Sequence, residues 1–294
     1  MSIELKNVSY TYMPGTPMER QALMGINLTI EQGRLYAIAG HTGSGKSTLI
    51  QQMAGLLPPT SGEVMVEGVK LNARDKEGKK QAVLARRRIG IVFQYPEQQL
   101  FEETVEADVA FGPKNQGLSE EEISARVRES LELVGLDYEK FGQKSPFLLS
   151  GGEKRRVAIA GVLALNPAYL ILDEPTAGLD PRGRESLLQM IADLQKGKGG
   201  REPMTIILVS HAMDDILRLA DEMFVLQEGR LTASGSPLEV FKCWDILAEA
   251  GLEPPELLLL MEQLQGAGLA AEMPVRDFKD AVKAVERGLK KHAK

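Results

Sequence analysis

The chain has 294 residues, enough for one large domain or a domain with an appendage. A hydrophobic fraction of 43% and a charged fraction of 26% fit a folded globular protein, and a net charge of −6 argues against a nucleic-acid binder, which would be basic. One cysteine, Cys243, excludes an intramolecular disulfide, and the longest apolar runs, 158–165 and 257–261, fall short of the ~20 residues that a membrane helix needs.

In chain order, the opening residues Met1 to Lys6 lack the apolar core of a signal peptide. Residues 3–10 alternate loosely and predict an edge strand. Strands follow at 28–30 and 35–39, the second apolar throughout, as in a strand buried on both faces of a parallel sheet. A helix is predicted over 46–55 and strands over 63–66 and 89–93. The main basic cluster, Lys70 to Arg88, reads as a solvated loop and helix face. From about 96 to 165 the pattern turns helical, most clearly at 104–115 and 119–134. Ser119 with Glu122 three residues on is a capping-box pattern. Apolar β runs return at 169–173, 205–210 and 223–226, with helices near 182–195 and 213–219 between them. After Gly235 the strands stop, and helices are expected around 237–250, 255–265 and 274–290. This alternation predicts an α/β domain with a mainly parallel sheet, interrupted by a helical insertion. The expected division is a domain over 1–235 and a helical C-terminal appendage over 236–294.

The run Gly40-His41-Thr42-Gly43-Ser44-Gly45-Lys46-Ser47-Thr48 matches the phosphate-loop pattern, just after a buried strand and at the start of a helix. Its glycines let backbone N–H groups turn inward onto phosphates, and the helix N-terminus adds a favourable dipole. Lys46 places a positive charge on the β/γ oxygens of ATP, and Ser47 offers a hydroxyl to Mg²⁺. The expected fold is therefore that of a P-loop NTPase. Further on, Leu170-Ile171-Leu172-Asp173 is an apolar strand ending in a carboxylate that can reach the Mg²⁺ shell. Glu174, one residue on, points elsewhere and can polarise the attacking water.

Between these motifs lies Leu149-Ser150-Gly151-Gly152-Glu153. Two glycines open a helix with free N–H groups, and Ser150 adds a hydroxyl, which makes a second anion site. The run resembles the signature motif of the ATP-binding cassette superfamily, in which the last residue is more often Gln. The resemblance implies that this site faces the γ-phosphate held by an opposite subunit, so the chain carries two half-sites that cannot serve each other. It also implies an antiparallel β subdomain beside the parallel sheet. Gln94 resembles the glutamine that senses Mg²⁺ and the attacking water. Asp180, in Thr176-Ala177-Gly178-Leu179-Asp180-Pro181, resembles the loop that crosses the dimer. His211 resembles the switch histidine on the γ-phosphate, and Tyr12 the aromatic that stacks on adenine, with Tyr10 as its competitor.

A narrower resemblance rests on Phe93-Gln94-Tyr95-Pro96-Glu97-Gln98-Gln99-Leu100-Phe101, Asp108-Val109-Ala110-Phe111-Gly112-Pro113-Lys114-Asn115 and Arg155-Arg156-Val157-Ala158-Ile159-Ala160-Gly161-Val162-Leu163-Ala164. With the phosphate loop, these are similar to the ATPases of energy-coupling factor transporters. That family implies uptake of a B vitamin or transition-metal ion. Its partners are a second cassette ATPase, a transmembrane coupling subunit and a substrate-binding membrane subunit, with the ATPases peripheral on the cytoplasmic face of the cell membrane. The run 173–180 looks like the second of the two paralogous ATPases. After Gln94, an apolar patch (Tyr95, Leu100, Phe101) mixed with acids (Glu97, Glu102, Glu103, Glu106, Asp108) is expected to form a groove for a helix of the coupling subunit, its acids pairing with arginines. A conventional cassette importer or exporter would share every catalytic residue. A DNA-maintenance ATPase would need a long coiled coil where about 100 residues separate Ser47 from Ser150 without heptads.

Overall fold

The computed structural model describes residues 1–197 and 202–292. The elements run β1 (Ser2–Tyr12), β2 (Arg20–Glu31), β3 (Leu35–Ala39), α1 (Lys46–Met53), β4 (Ser61–Val66), β5 (Val69–Lys70), α2 (Lys76–Arg86) and β6 (Ile89–Val92). There follow α3 (Val105–Asn115), α4 (Glu120–Leu133), α5 (Tyr138–Phe141), α6 (Gly151–Leu163), β7 (Tyr169–Asp173), α7 (Pro181–Gln195), β8 (Thr205–Val209), α8 (Met213–Leu219), β9 (Glu222–Gln227) and β10 (Arg230–Gly235). The chain ends in α9 (Pro237–Val240), α10 (Trp244–Glu249), α11 (Glu256–Gly266) and α12 (Phe278–His292).

Two sheets form. One is antiparallel, in the order β2-β1-β4-β5; the other runs β10-β9-β3-β8-β7-β6, parallel from β9 to β6 with β10 antiparallel at its edge. β3 shows why the second sheet needs cover on both faces. Leu35, Ala37 and Ala39 enter a core shared with α3, α4, α6, α7 and α8, while Tyr36 and Ile38 enter a core shared with the antiparallel sheet and α1. A strand's period of two thus feeds two cores from one apolar run.

The helical insertion packs α6 against α3 and α4. Ser119 and Glu122 make the expected capping box at the start of α4. The helix expected over 237–250 is instead two, α9 and α10, because the backbone leaves helical geometry at Cys243 after Phe241 turns into the core. Val240, Phe241, Leu247, Ala250 and Leu252 join the core of the parallel sheet. Met261, Ala270, Val275, Ala281 and Ala284 form a separate small core between α11 and α12. Two elements carried no periodic signal. β10 pairs only at an edge, and α2, inside the basic cluster, buries only Ala82 and Ala85.

Candidate nucleotide site

Four loops leave the C-terminal edge of β3, β8, β7 and β6, which are neighbours in that order. Register fixes their levels: Asp173 pairs with Val209, the Glu174 N–H donates to the Val209 carbonyl (2.9 Å), and the Ser210 N–H donates to that of Ile38 (3.3 Å). The phosphate loop, Asp173 with Glu174, and His211 are therefore delivered side by side.

Within the loop, Lys46 Nζ donates to the carbonyls of Gly40 (2.7 Å) and His41 (2.9 Å), so the ammonium lies across the loop it serves. Gly45 has φ +109°, and a Cβ there would lie 2.7 Å from the Ala22 carbonyl of β2. Only glycine allows both that conformation and that approach. His41 Nδ1 contacts the Thr42 carbonyl (2.8 Å), and the Gly229 N–H donates to the Ser44 carbonyl (2.8 Å). Ser44 is buried, and its hydroxyl has no hydrogen-bond partner. With Gly43, Ser47 and Thr48 the loop thus presents a polar cradle around the start of α1.

Burial pushes the Asp173 carboxyl up to about 6, Glu174 adds to the rise, and Lys46 opposes it. Burial also lowers the Lys46 ammonium, against the pull of Glu174 and Asp173. Asp173 is thus a half-buried carboxyl with no ion-pair partner among the described residues, and Ser47, next to Lys46 at the start of α1, offers a hydroxyl. These are hard oxygen donors of the kind Mg²⁺ prefers, and a dication would remove the cost of ionising Asp173. Glu174 has a left-handed backbone, φ 48°, a strained state for a residue with a side chain. Its Oε1 lies 2.8 Å from His211 Nδ1, and the side chains are 12% and 71% exposed respectively. The carboxylate is therefore held, while the imidazole reaches outward into the cleft.

Tyr12 and Tyr10 are separated by the structure. The Tyr12 hydroxyl lies 3.0 Å from Thr48 Oγ1, and its ring lines a depression with Arg20, Gly43, Gly45 and Ser47. Tyr10 backs it edge-on at 4.8 Å and packs against the core. Arg20 was not found from sequence, since nothing local marks an arginine at the start of a strand as part of a site. A second wall was also missed. Gly251, Leu252, Glu253, Pro254 and Glu256 border the cleft formed by Gly40, His41, Lys46, Glu174 and His211. Only the packing of the appendage brings them there.

The signature run lies elsewhere. Ser150 caps α6, and Glu153 closes a capping box: its carboxylate accepts from the Ser150 N–H (2.8 Å) and hydroxyl (2.7 Å). The Ser150 hydroxyl, then its N–H, hold the Glu153 carboxyl below the usual range. Leu149 is buried, while Gly151 and Gly152 have open space where a side chain would stand. α6 packs on α3, α4, β6 and the flanking turns, whereas α1 packs on β1 and β2. Asp180 spends its carboxylate as the N-cap of α7, accepting from the N–H groups of Arg182 (2.9 Å) and Gly183 (3.0 Å). Gln94 follows β6 and is exposed.

The segment after Gln94 corrects an expectation. Glu97 does not face outward to meet a partner's arginine; it is paired with the buried Arg155 of α6 (3.0 and 3.1 Å). Burial pushes its carboxyl up, but Arg155 outweighs this and leaves it below the usual range. Glu106 accepts from the Tyr138 hydroxyl (2.7 Å) and from Gln143, and Asp108 accepts from the Glu102 N–H (3.0 Å). Glu102 and Glu103 remain. Beside them Phe101 and Phe111, both exposed, meet edge-on at 4.9 Å.

A phosphate loop, an acidic pair and His211 on one sheet edge, with the Leu149–Glu153 run opening a helix on a separate insertion, define a P-loop ATPase of the cassette type. The family model described as "ABC transporter" matches residues 23–177. The energy-coupling factor transporter ATP-binding protein EcfA2 of Clostridium acetobutylicum is 51% identical, over 98% of each chain. The structure of cbiO1 from Clostridium perfringens, part of the ABC transporter complex cbiONQ, matches with a TM-score of 0.72 and 40% identity, over 88% of this chain and 98% of that one. The cassette MJ0796, solved as a dimer in a post-hydrolysis state with ADP and Pi, matches with a TM-score of 0.67 and 33% identity, over 80% and 98%. The chain belongs to the ABC transporter family, among the energy-coupling factor transporter ATP-binding proteins.

Proposed function

We propose that this chain hydrolyses ATP to power uptake of a B vitamin or transition-metal ion by an energy-coupling factor transporter. The observation that supports this most is the separation of the two half-sites. The phosphate loop, Asp173, Glu174 and His211 share one sheet edge, while Ser150, Gly151 and Gly152 open a helix on the insertion. One chain thus holds half of two sites, and a second cassette ATPase supplies the complements. Residues 1–235 form the cassette proper. Residues 236–294 form an appendage whose first part, up to Leu252, packs into the cassette core. No helix among the described residues is long and apolar enough to cross a membrane, which fits a peripheral subunit on the cytoplasmic face.

In this reading Tyr12 stacks on adenine. The backbone N–H groups of Gly40 to Thr48 and the Lys46 ammonium take the β- and γ-phosphates. Ser47 and Asp173, with Gln94 on its loop, would hold Mg²⁺, which neutralises charge on the transferring phosphoryl group. Glu174 accepts the proton of the attacking water. His211, held against Glu174 through Nδ1, turns the opposite edge of its ring to the γ-phosphate, where an Nε2–H would donate to a phosphate oxygen. Ser150, Gly151 and Gly152 close on that phosphate from the other subunit, with Asp180 steering the crossing loop. ATP favours the closed dimer, and loss of the γ-phosphate reopens it.

The signature run carries an acid where an amide is commoner. Glu153 keeps its capping box at the cost of a negative charge next to an anion site. Glu153→Gln preserves the box, so we expect ATP-driven dimerisation to tighten by ~2–5-fold, the size of an exposed helix-terminus charge effect. Titration of dimer against ATP checks this, and weaker dimerisation would refute it. Elsewhere on the insertion, Phe101, Phe111 and Tyr95 with Glu102 and Glu103 form the docking surface for the coupling subunit. Reversing both acids, Glu102→Lys with Glu103→Lys, should weaken recovery of membrane partners while leaving ATP binding intact. Full recovery would remove the acids from the docking reading.

The assembly itself is tested by mild-detergent purification of the tagged chain from native membranes. A second cassette ATPase, one coupling protein and small substrate-binding membrane proteins are expected. A single pair of large transmembrane subunits would indicate a conventional transporter instead.

A further inference from the structure

Three segments with separate duties meet at one buried side chain. Arg155 of α6 is 3% exposed. Its Nε and Nη2 make a fork onto the Glu97 carboxylate (3.1 and 3.0 Å). Its Nη1 donates to the carbonyls of Pro175 (2.8 Å) and Ala177 (2.7 Å). Glu97 lies in the 3-10 turn Pro96–Gln99, between Gln94 and the exposed Phe101. Pro175 directly follows Glu174, and Ala177 leads to Asp180. α6 itself begins with the signature glycines.

Separating any of these partners is costly. A buried guanidinium that loses its carboxylate is left as an uncompensated charge, and a carboxylate that loses the guanidinium likewise. The planar fork serves four acceptors at once, which a lysine ammonium with three donors on one atom cannot do. The segment after Gln94, the start of the signature helix and the loop after Glu174 are thus obliged to move together.

We propose that Arg155 is a positioning residue that locks the segment after Gln94 to the loop carrying Glu174, so that the state of the nucleotide site reaches the docking surface through the Arg155–Glu97 pair as well as through Gln94. The inference rests on the transport reading above, because it needs a nucleotide-dependent movement of that surface. Within one chain it also ties the half-site served by Glu174 to the half-site served by Gly151.

The test uses the assembled, detergent-purified transporter, with Cys243 replaced by Ser and spin labels on cysteines placed at Gln98, exposed in the turn that carries Glu97, and Lys79. ATP should shift the distance between the labels in the otherwise wild-type complex. In Glu97→Gln and in Arg155→Lys the ratio of shifted to unshifted complex should fall at least ~5-fold, the lower end of ordinary coupling between sites, with the KM for ATP unchanged. The double variant should be no worse than the more affected single one, as expected of residues acting as a pair. An undiminished shift in Glu97→Gln overturns the proposal, as does a loss that appears only together with a raised KM. If Arg155→Lys does not assemble, Glu97→Gln decides alone, since it keeps the bonds to Pro175 and Ala177. A wild-type complex whose labels do not respond to ATP overturns both this inference and the transport reading. A normal wild-type response with undisturbed variants overturns this one only.

Discussion

Glu174→Gln should yield an ATP-bound dimer that closes and does not reopen. The substitution is isosteric, so the contact to His211 Nδ1, 2.8 Å from Oε1, keeps an acceptor. What it removes is the proton acceptor, and general-base catalysis is worth about 10²–10⁴ in rate. It also removes one negative charge beside Asp173, where burial already opposes a second carboxylate, so anionic nucleotide should bind more tightly rather than less. Steady-state phosphate release should therefore fall ~100-fold or more. Size-exclusion chromatography in ATP should at the same time show a stable dimer. Unchanged turnover would remove Glu174 from the catalytic role.

Gly151→Asp should silence hydrolysis without unfolding the chain. A side chain at Gly151 meets nothing within 4 Å, and the position opens α6, where an acid suits the helix dipole. Thermal stability should stay level or rise slightly. Function should not survive, because in the proposed assembly the carboxylate would occupy the place where Ser150, Gly151 and Gly152 close on the γ-phosphate of the other subunit. Two like charges ~4 Å apart at an effective dielectric of 20 repel by about 4 kcal/mol, or roughly a thousandfold in closure. In a heterodimer only the composite site built with this signature should fail. A melting curve alongside ATPase assay checks both halves. Equal loss of stability and activity would mean that Gly151 serves its own fold and not a partner.

These two substitutions show what each level of description contributes. Lys46 and Glu174 are legible from sequence because their chemistry is local: a phosphate loop is one strand, one tight turn and one helix start. β3, β7 and β8 are legible for the same reason, since a strand buried on both faces must be apolar throughout. The capping box at Ser119 closes within three residues and needs no tertiary contact. The break at Cys243, between α9 and α10, was invisible because the pull of Phe241 into the core comes from residues far along the chain.

The sequence by itself thus determined the family, the ATPase class and the phosphate loop, because those motifs are short and self-contained. Only the tertiary structure decided which side chains are spent inside the chain. Glu97 reads as a surface acid, yet it neutralises an arginine that lies 58 positions away on α6. Tyr12 and Tyr10 are equivalent in a strand pattern until the bulged pairing of β1 with β2 places one ring at the phosphate loop and the other behind it. Arg20 and the turn 251–256 reach the cleft only through the packing of a distant strand and of the appendage. Periodicity tells which face of an element is apolar, but a charge chooses its partner by proximity in space, which the folded chain alone sets.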